Sequence, residues 1–131
     1  MSQAPQLLLD TTVLIDVLRN RNQRRKLLAG LVASGQVLAT STVNVAEVYS
    51  GLRPGEERAT RAFLGGLDLL PVSAPIAERA GNLKADFRRQ GQTRSITDMI
   101  VAATALEHGL QVATDNIKDF QVPGLPLLPL P

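Results

Sequence analysis

The regular alternation of short apolar runs with segments of helical periodicity is the strongest constraint on the fold. The apolar runs predict strands at residues 6–9, 37–40, 69–72 and 110–114, and at residues 125–130, where prolines confine a strand to an edge. Short apolar strands separated by helical crossovers are typical of a parallel sheet covered on both sides. We therefore predict an α/β fold, a three-layer α/β/α sandwich around a short central parallel sheet, in one domain spanning residues 1–131.

The predicted helices are marked mostly by their ends. Residues 12–20 have apolar side chains at helical spacing immediately after the first strand. Pro75 suits the first turn of a long helix that runs to about residue 90, and Gly109 ends an apolar helix over residues 96–108. The remaining helices are predicted at residues 21–34, 44–51 and 55–67.

The composition excludes several kinds of catalytic site. The chain has no cysteine and a single histidine, His108, which excludes thiolate sites, zinc sites with two or more His or Cys ligands, and paired catalytic histidines. An enzyme of this composition is expected to use carboxylates, with or without a hard metal ion. No apolar run approaches the roughly 20 residues that cross a bilayer, and no basic stretch precedes the first one, so we expect a cytoplasmic protein with no membrane partner.

Four acidic residues lie near the predicted ends of strands. Asp10 and Asp115 directly follow the first and fourth strands, and Glu47 lies early in the helix after the second. The carboxyl ends of parallel strands share one edge of the sheet, so Asp10 and Asp115 are expected to meet there if their strands are neighbours. Asp98 opens the helix that leads into the fourth strand. Strand order alone puts the start of this helix at the far end of the sheet, unless the helix is tilted.

Each acid also has a purely structural interpretation, as a helix cap or as part of a turn. Two of them end sequences that have the spacing of a capping box. The candidate caps and turn are Asp10, Asn44 with Glu47, Ser95 with Asp98, and Asp115 with Asn116. Taken singly, each acid is explained without a functional site, and only their combination points to one.

If these acids converge in one pocket, the repulsion between their charges limits the kinds of chemistry that the pocket can support. Two like charges ~4 Å apart repel by about 4 kcal/mol at an effective dielectric constant of about 20. Three or four carboxylates in one pocket therefore need protonation or a cation, and an all-oxygen site suits Mg²⁺, with Mn²⁺ as a substitute. Such an ion activates water for attack on a phosphate. The sequence thus favours metal-assisted hydrolysis of a phosphodiester bond.

Four motifs of the sequence resemble those of a known family. They are Leu8–Asp16 (Leu-Leu-Asp-Thr-Thr-Val-Leu-Ile-Asp), Thr42–Gly51 (Thr-Val-Asn-Val-Ala-Glu-Val-Tyr-Ser-Gly), Thr97–Leu106 (Thr-Asp-Met-Ile-Val-Ala-Ala-Thr-Ala-Leu) and Ala113–Phe120 (Ala-Thr-Asp-Asn-Ile-Lys-Asp-Phe). In this order and at these separations they resemble the motifs of PIN-domain VapC toxins of type II toxin–antitoxin systems. The resemblance spans nearly the whole chain. It implies an α/β/α sandwich and a Mg²⁺-dependent endoribonuclease that leaves a 5′-phosphate and a 3′-hydroxyl.

The resemblance also implies roles for individual residues. The acids that match the family's catalytic, metal-binding set are Asp10, Glu47, Asp98 and, first among the candidates for the fourth position, Asp115. Asn116 and Asp119 compete with Asp115 for that position. Thr11 and Thr114 match hydroxyl positions that would orient the carboxylates or water. The family's tilt of the third-motif helix would bring Asp98 to the site.

Partners are indicated by the distribution of charge and by the resemblance. The formal net charge is only +2, but if four of the 12 acidic residues share a metal pocket, the remaining surface is distinctly basic and suited to steering RNA. Arg94, four residues before Asp98, is the candidate contact to an RNA phosphate; the other interpretation of the basic residues is a solvated helix face. The resemblance further implies a cognate VapB-like antitoxin whose tail covers the active site, and self-association into a homodimer or larger oligomer.

Two other functions stay open at this point. A non-catalytic PIN-like module would bind RNA or protein and would not need a divalent ion. A receiver or phosphatase domain also places acids at the edge of a parallel sheet, but it needs a lysine near them, and a phosphatase usually carries an Asp-x-Asp pair after its first strand. Here Asp10 is followed by Thr11 and Thr12, and Lys118 is the only lysine near a candidate edge.

Overall fold

The strands and helices alternate along the chain in the computed structural model, which describes residues 5–131. The strands are β1 (Leu7–Leu9), β2 (Leu38–Ser41), β3 (Asp68–Leu70), β4 (Gln111–Thr114) and β5 (Leu127–Pro129). The helices are α1 (Thr11–Leu18), α2 (Arg24–Ala33), α3 (Thr42–Ser50), α4 (Glu57–Gly65), α5 (Ala74–Arg89) and α6 (Ile96–His108), with a short 3-10 helix at Ile117–Phe120. Residues 1–4, where the predicted domain begins, lie outside the described part of the chain.

The sheet is parallel throughout, with strand order β3-β2-β1-β4-β5. Its central strand, β1, is apolar on both faces because both are covered. Leu8 packs with α5 and α6, whereas Leu7 and Leu9 pack with α1 to α4. The predicted three-layer α/β/α sandwich is therefore confirmed. The proline-containing last strand lies at an edge of the sheet, as its composition predicts.

Serine side chains fix the starts of three helices. Ser41, Ser73 and Ser95 each accept a hydrogen bond from the backbone N–H three residues later, at the starts of α3, α5 and α6. The start of α2 was predicted too early. Asn22 and Gln23 have left-handed backbone conformations, with φ of 53° and 54°, so the helix begins only at Arg24.

The direction of α6 places its start at the same edge of the sheet as the carboxyl ends of the strands. The expectation that Asp98 lies at the far end of the sheet is wrong. Only two residues separate the end of α6 from the start of β4, so the chain reverses between them and α6 packs antiparallel to that strand. The first turn of α6 therefore lies beside the carboxyl end of β4. Across residues 5–131, the helices are all too short or too polar to span a bilayer.

Candidate metal centre

Asp10 is a buried carboxylate at the junction of β1 and α1, with 5% of its surface exposed. Its Oδ1 accepts hydrogen bonds from Val13 N at 3.2 Å and from the Thr12 hydroxyl at 2.7 Å, which makes it the N-cap of α1. Its Oδ2 accepts a hydrogen bond from the Thr114 hydroxyl. A carboxylate has about four lone-pair sites, so these three bonds leave about one for a ligand.

The register between β1 and β4 explains why Thr114 is the partner of Asp10. The two strands are neighbours, as required, but Leu9 is level with Ala113, so the residue that follows β1 is level with Thr114 rather than with Asp115. The Asp115 carboxylate is instead paired with Arg24, whose Nη2 is 3.2 Å from its Oδ2.

Glu47 is half-buried on α3 and is held by a chain of polar side chains. The Thr11 hydroxyl donates to Glu47 Oε1 at 2.5 Å, and Asn44 Nδ2 donates to the Thr11 oxygen at 2.9 Å. Asn44 Oδ1 in turn accepts from Ser41 N at 3.2 Å. The sequence interpretation that made Asn44 the cap and Glu47 its partner was wrong, because Ser41 caps α3 and Asn44 completes the capping box.

Asn44 is therefore a site-positioning residue that sequence reasoning missed. It is 1% exposed, and both ends of its amide are used, one for the helix cap and one for the Thr11 hydroxyl beside Glu47. The signal that could have found it is the Ser41-x-x-Asn44 spacing, which is that of a capping box one turn earlier than the one predicted.

Asp98 lies in the first turn of α6, where its backbone N–H donates to the Ser95 hydroxyl oxygen at 3.0 Å. Burial raises the pKa of the Asp98 carboxyl above its usual range, and the negative charges of Asp119, Asp10 and Glu47 raise it further, against an opposing hydrogen bond with Ser95. Asp119, Asp10 and Glu47, from separate parts of the chain, therefore lie close enough to Asp98 for their charges to act on its carboxylate.

Asp119 is the fourth acid of this group, near enough to Asp98 for its charge to act on that carboxylate. It is the first of the three charges that raise the pKa of Asp98, whereas Asp115, placed first by the sequence prediction, is not among them. Thr114 fixes the segment between these two acids, because its hydroxyl oxygen also accepts a hydrogen bond from Asn116 N at 2.9 Å. Asp119 N then donates to the Asn116 carbonyl at 3.0 Å in the 3-10 helix.

The residues present fit a hard divalent cation. The pocket offers only oxygen donors, and within residues 5–131 no lysine or arginine forms a salt bridge with Asp10, Glu47, Asp98 or Asp119. In that part of the chain, no group of three or more Asp, Glu or His side chains is placed so that it could hold one metal ion. Like charges repel one another in a pocket without a counter-ion, and a cation would reverse that repulsion.

Two further residues singled out in the sequence lie near this edge. Arg94 is half-buried in the loop between α5 and α6, just before the helix that carries Asp98. Lys118, on which the receiver-domain alternative depends, is exposed on the 3-10 helix next to Asp119.

Comparison with known proteins finds a matching family, similar sequences and similar solved structures. The PIN domain family model matches residues 7–123. Ribonuclease VapC10 of Mycobacterium tuberculosis is 35% identical over 114 residues, which cover 87% of this chain and 85% of the relative. A solved toxin–antitoxin complex from Klebsiella pneumoniae has a TM-score of 0.76 at 30% identity, with 94% of this chain and 96% of that chain covered. VapBC2 from Rickettsia felis, solved bound to a promoter DNA fragment, has the same fold, with a TM-score of 0.82 at 23% identity, covering 95% of this chain and 98% of that one.

Proposed function

Because this chain belongs to the PIN domain family, we propose that it is a metal-dependent endoribonuclease and the toxin of a VapBC-like toxin–antitoxin pair. The observation that carries the proposal is that the fold brings Asp119, Asp10 and Glu47 near Asp98 at the start of α6, where burial and then these three charges raise the pKa of Asp98. A structural role alone does not account for three acids placed near Asp98, since each adds to the repulsion. The ribonuclease activity is supported by the relatives, which are named as ribonucleases.

Mg²⁺ is the cofactor we assign to this pocket, with Mn²⁺ as a substitute. Asp10, Glu47, Asp98 and Asp119 would hold it through carboxylate oxygens, the ligands that these ions prefer. When bound, the ion would supply a Lewis acid that activates water and stabilises negative charge on the scissile phosphate.

The residues around the acids prepare the pocket for this role. Thr114 orients Asp10 through Oδ2, which leaves the carboxylate in a single conformation. Thr11, itself held by Asn44, orients Glu47 in the same way. Side chains fixed by hydrogen bonds before the substrate arrives need little reorganisation when it binds.

A VapB-like antitoxin is the protein partner we propose. An apolar groove of about 770 Å³, which we call the α2–α4 groove, lies between those two helices on the face of the sheet that they cover. Its apolar lining includes Leu28, Ala29, Val32, Ala33, Phe63 and Leu67. Val32 is 57% exposed, an unusual state for an apolar side chain beside other apolar ones. Such a groove suits the apolar face of a partner's helix.

Cleavage of RNA by purified variants tests the enzymatic proposal. We expect the wild type to cleave single-stranded RNA with Mg²⁺ and not in EDTA, and Asp98→Asn and Asp119→Asn each to lower the rate at least about 100-fold, as loss of a charged catalytic group does. Asp115→Asn should keep most of the activity, since its carboxylate is paired with Arg24.

Asp86→Asn serves as the matched control, because Asp86 is an exposed acid on α5 that is paired with Arg89. Full activity of Asp98→Asn, in protein free of host nuclease, would disprove the proposed centre. A protein that binds Mg²⁺ or RNA without cleaving RNA would be the non-catalytic module instead, and trapping of a phospho-aspartate would favour a receiver-like domain.

A further inference from the structure

Arg94 is a half-buried side chain in an otherwise exposed segment. The other residues from Gly91 to Ile96 are exposed, whereas Arg94 packs back against α5. Its guanidinium carbon lies 4.6 Å from the centre of the Phe87 ring, a cation–π distance. Its Nη2 donates to Gln92 Oε1 at 3.0 Å. The guanidinium is therefore held in one place instead of extending into water.

The segment that carries Arg94 is itself tied to α5. Gln92 N donates to the carbonyl of the buried Phe87 at 2.9 Å. The Lys84 ammonium, also on α5, donates to the Arg94 carbonyl. These two contacts fix the segment that leads into α6, so Arg94 is held two residues before the helix that carries Asp98.

Within residues 5–131, no carboxylate balances the positive charge at this place. The Lys84 ammonium contacts the Arg94 carbonyl, and within residues 5–131 neither Lys84 nor Arg94 forms a salt bridge with a carboxylate. The arginines Arg79 and Arg89 on the same helix are both paired. Arg94 Nε is also buried without a hydrogen-bond partner. A cation without a carboxylate partner and a buried, unsatisfied N–H donor are unfavourable for the free protein, and an anionic ligand would offset both.

We propose that Arg94, held by Phe87 and Gln92 beside Lys84, binds a phosphate of the RNA strand next to the phosphate that is cleaved. The inference rests on the proposed ribonuclease function, which supplies a polyanion beside the acid pocket. The planar donors of a guanidinium match phosphate oxygens. A cation just before the helix that carries Asp98 also offsets the repulsion between the acids and RNA, so Arg94 serves in binding substrate and not in the chemical step.

Steady-state cleavage of a mixed-sequence single-stranded RNA oligonucleotide by Arg94→Gln tests this site. We expect KM to rise about fivefold to tenfold and kcat to stay within about twofold. The slope of log KM against log salt concentration should become shallower by about 0.7, the value for one phosphate contact on a single strand. Arg94→Lys should recover only part of the loss, because lysine keeps the charge without the planar donors.

Arg61→Gln is the matched control, since Arg61 is exposed on α4, on the other face of the sheet, and its loss changes the net charge equally. Equal KM values for Arg94→Gln and Arg61→Gln, or an effect on kcat alone, overturn the inference.

RNA binding by the Asp98→Asn protein, with and without Arg94→Gln, separates this inference from the proposed function. If the wild type does not cleave RNA, the ribonuclease proposal fails, but weaker binding by the double variant still supports the phosphate site. Equal binding by the two proteins overturns the site whatever the wild type cleaves.

Discussion

Asp10 and Asp98 each have two roles, one in the fold and one in the candidate site. Asp10 caps α1 through Oδ1 while Oδ2 is held by Thr114. Asp98 is anchored through its backbone N–H to Ser95, which leaves its carboxylate in the acid pocket. The positive end of a helix favours a nearby carboxylate, so a helix start tolerates an acid that its neighbours repel. Asparagine keeps the polar shape of these side chains and removes the charge, which makes it the informative substitution.

The charge of Asp98 should make the metal-free protein less stable as pH rises. The folded-state pKa of Asp98 is raised above its ordinary value of 3.8, so the folded state binds the proton more tightly than the unfolded state does. The stabilisation this gives is fully present below that ordinary value and is lost as pH rises through the folded-state pKa. At neutral pH in EDTA, we therefore expect Asp98→Asn to be more stable than the wild type, with a higher Tm.

Urea unfolding at pH 4 and pH 7 measures this difference. The stability of the wild type relative to Asp98→Asn should decrease from pH 4 to pH 7. At pH 7, added Mg²⁺ should stabilise the wild type more than the variant. Glu78→Gln, at an exposed position on α5, controls for the loss of an acid in general. The idea fails if wild type and Asp98→Asn differ equally at both pH values.

At the scale of elements, apolar patterning predicted nearly all of the architecture. The run ending at Leu9 and the helix over residues 96–108 were predicted closely, because burial on both faces and the stop at Gly109 leave clear signals. The start of α2 was missed, since left-handed Asn22 and Gln23 have no pattern that distinguishes them from helical residues.

The candidate site was less predictable because it depends on register and direction. Asp115 and Asp119 could not be separated from sequence, since one position of offset between β1 and β4 decides which side chain stands beside Asp10. The prediction that put Asp98 at the far end of the sheet was an error about chain direction. The order of helix and strand in the sequence already indicates that the helix runs antiparallel to the strand that follows it. Asn44 was misassigned because two capping boxes overlap in that stretch.

Arg24 joins three elements and should be important for stability. It is 2% exposed, and its guanidinium contacts Asp115 after β4, Asp16 on α1 and the Pro131 carbonyl. Removing one partner of a buried ion pair leaves the others uncompensated, at a cost of ~3–5 kcal/mol. The two acids are partly exposed, so for Arg24→Met we expect the lower part of that range, about 3 kcal/mol, in the free energy of unfolding measured with urea.

Arg89→Met is the comparison for this prediction, because Arg89 and Asp86 form an exposed pair whose loss should cost less than about 1 kcal/mol. Equal losses in the two variants would show that the buried guanidinium does not hold these elements together.

At the scale of the whole molecule, the two proposed partners use separate surfaces. The acids and Arg94 lie at the edge where β1 and β4 end, whereas the α2–α4 groove lies along helices that cover one face of the sheet. A substitution in the groove can therefore be tested for loss of the partner without loss of cleavage.

Val32→Glu should release the chain from an antitoxin while leaving it active. Val32 is 57% exposed in the groove, so the substitution should cost the isolated fold no more than about 0.5 kcal/mol, whereas a buried interface cannot readily accept an unpaired carboxylate. Co-expression with the VapB-like protein of a neighbouring reading frame provides the assay. We expect Val32→Glu to cleave RNA like the wild type, to lose co-purification with the antitoxin, and to arrest growth despite it. Leu69→Glu, at an exposed apolar residue outside the groove lining, should remain bound and neutralised. If Val32→Glu co-purifies as well as Leu69→Glu, the antitoxin binds elsewhere, and the groove has no part in neutralising the toxin.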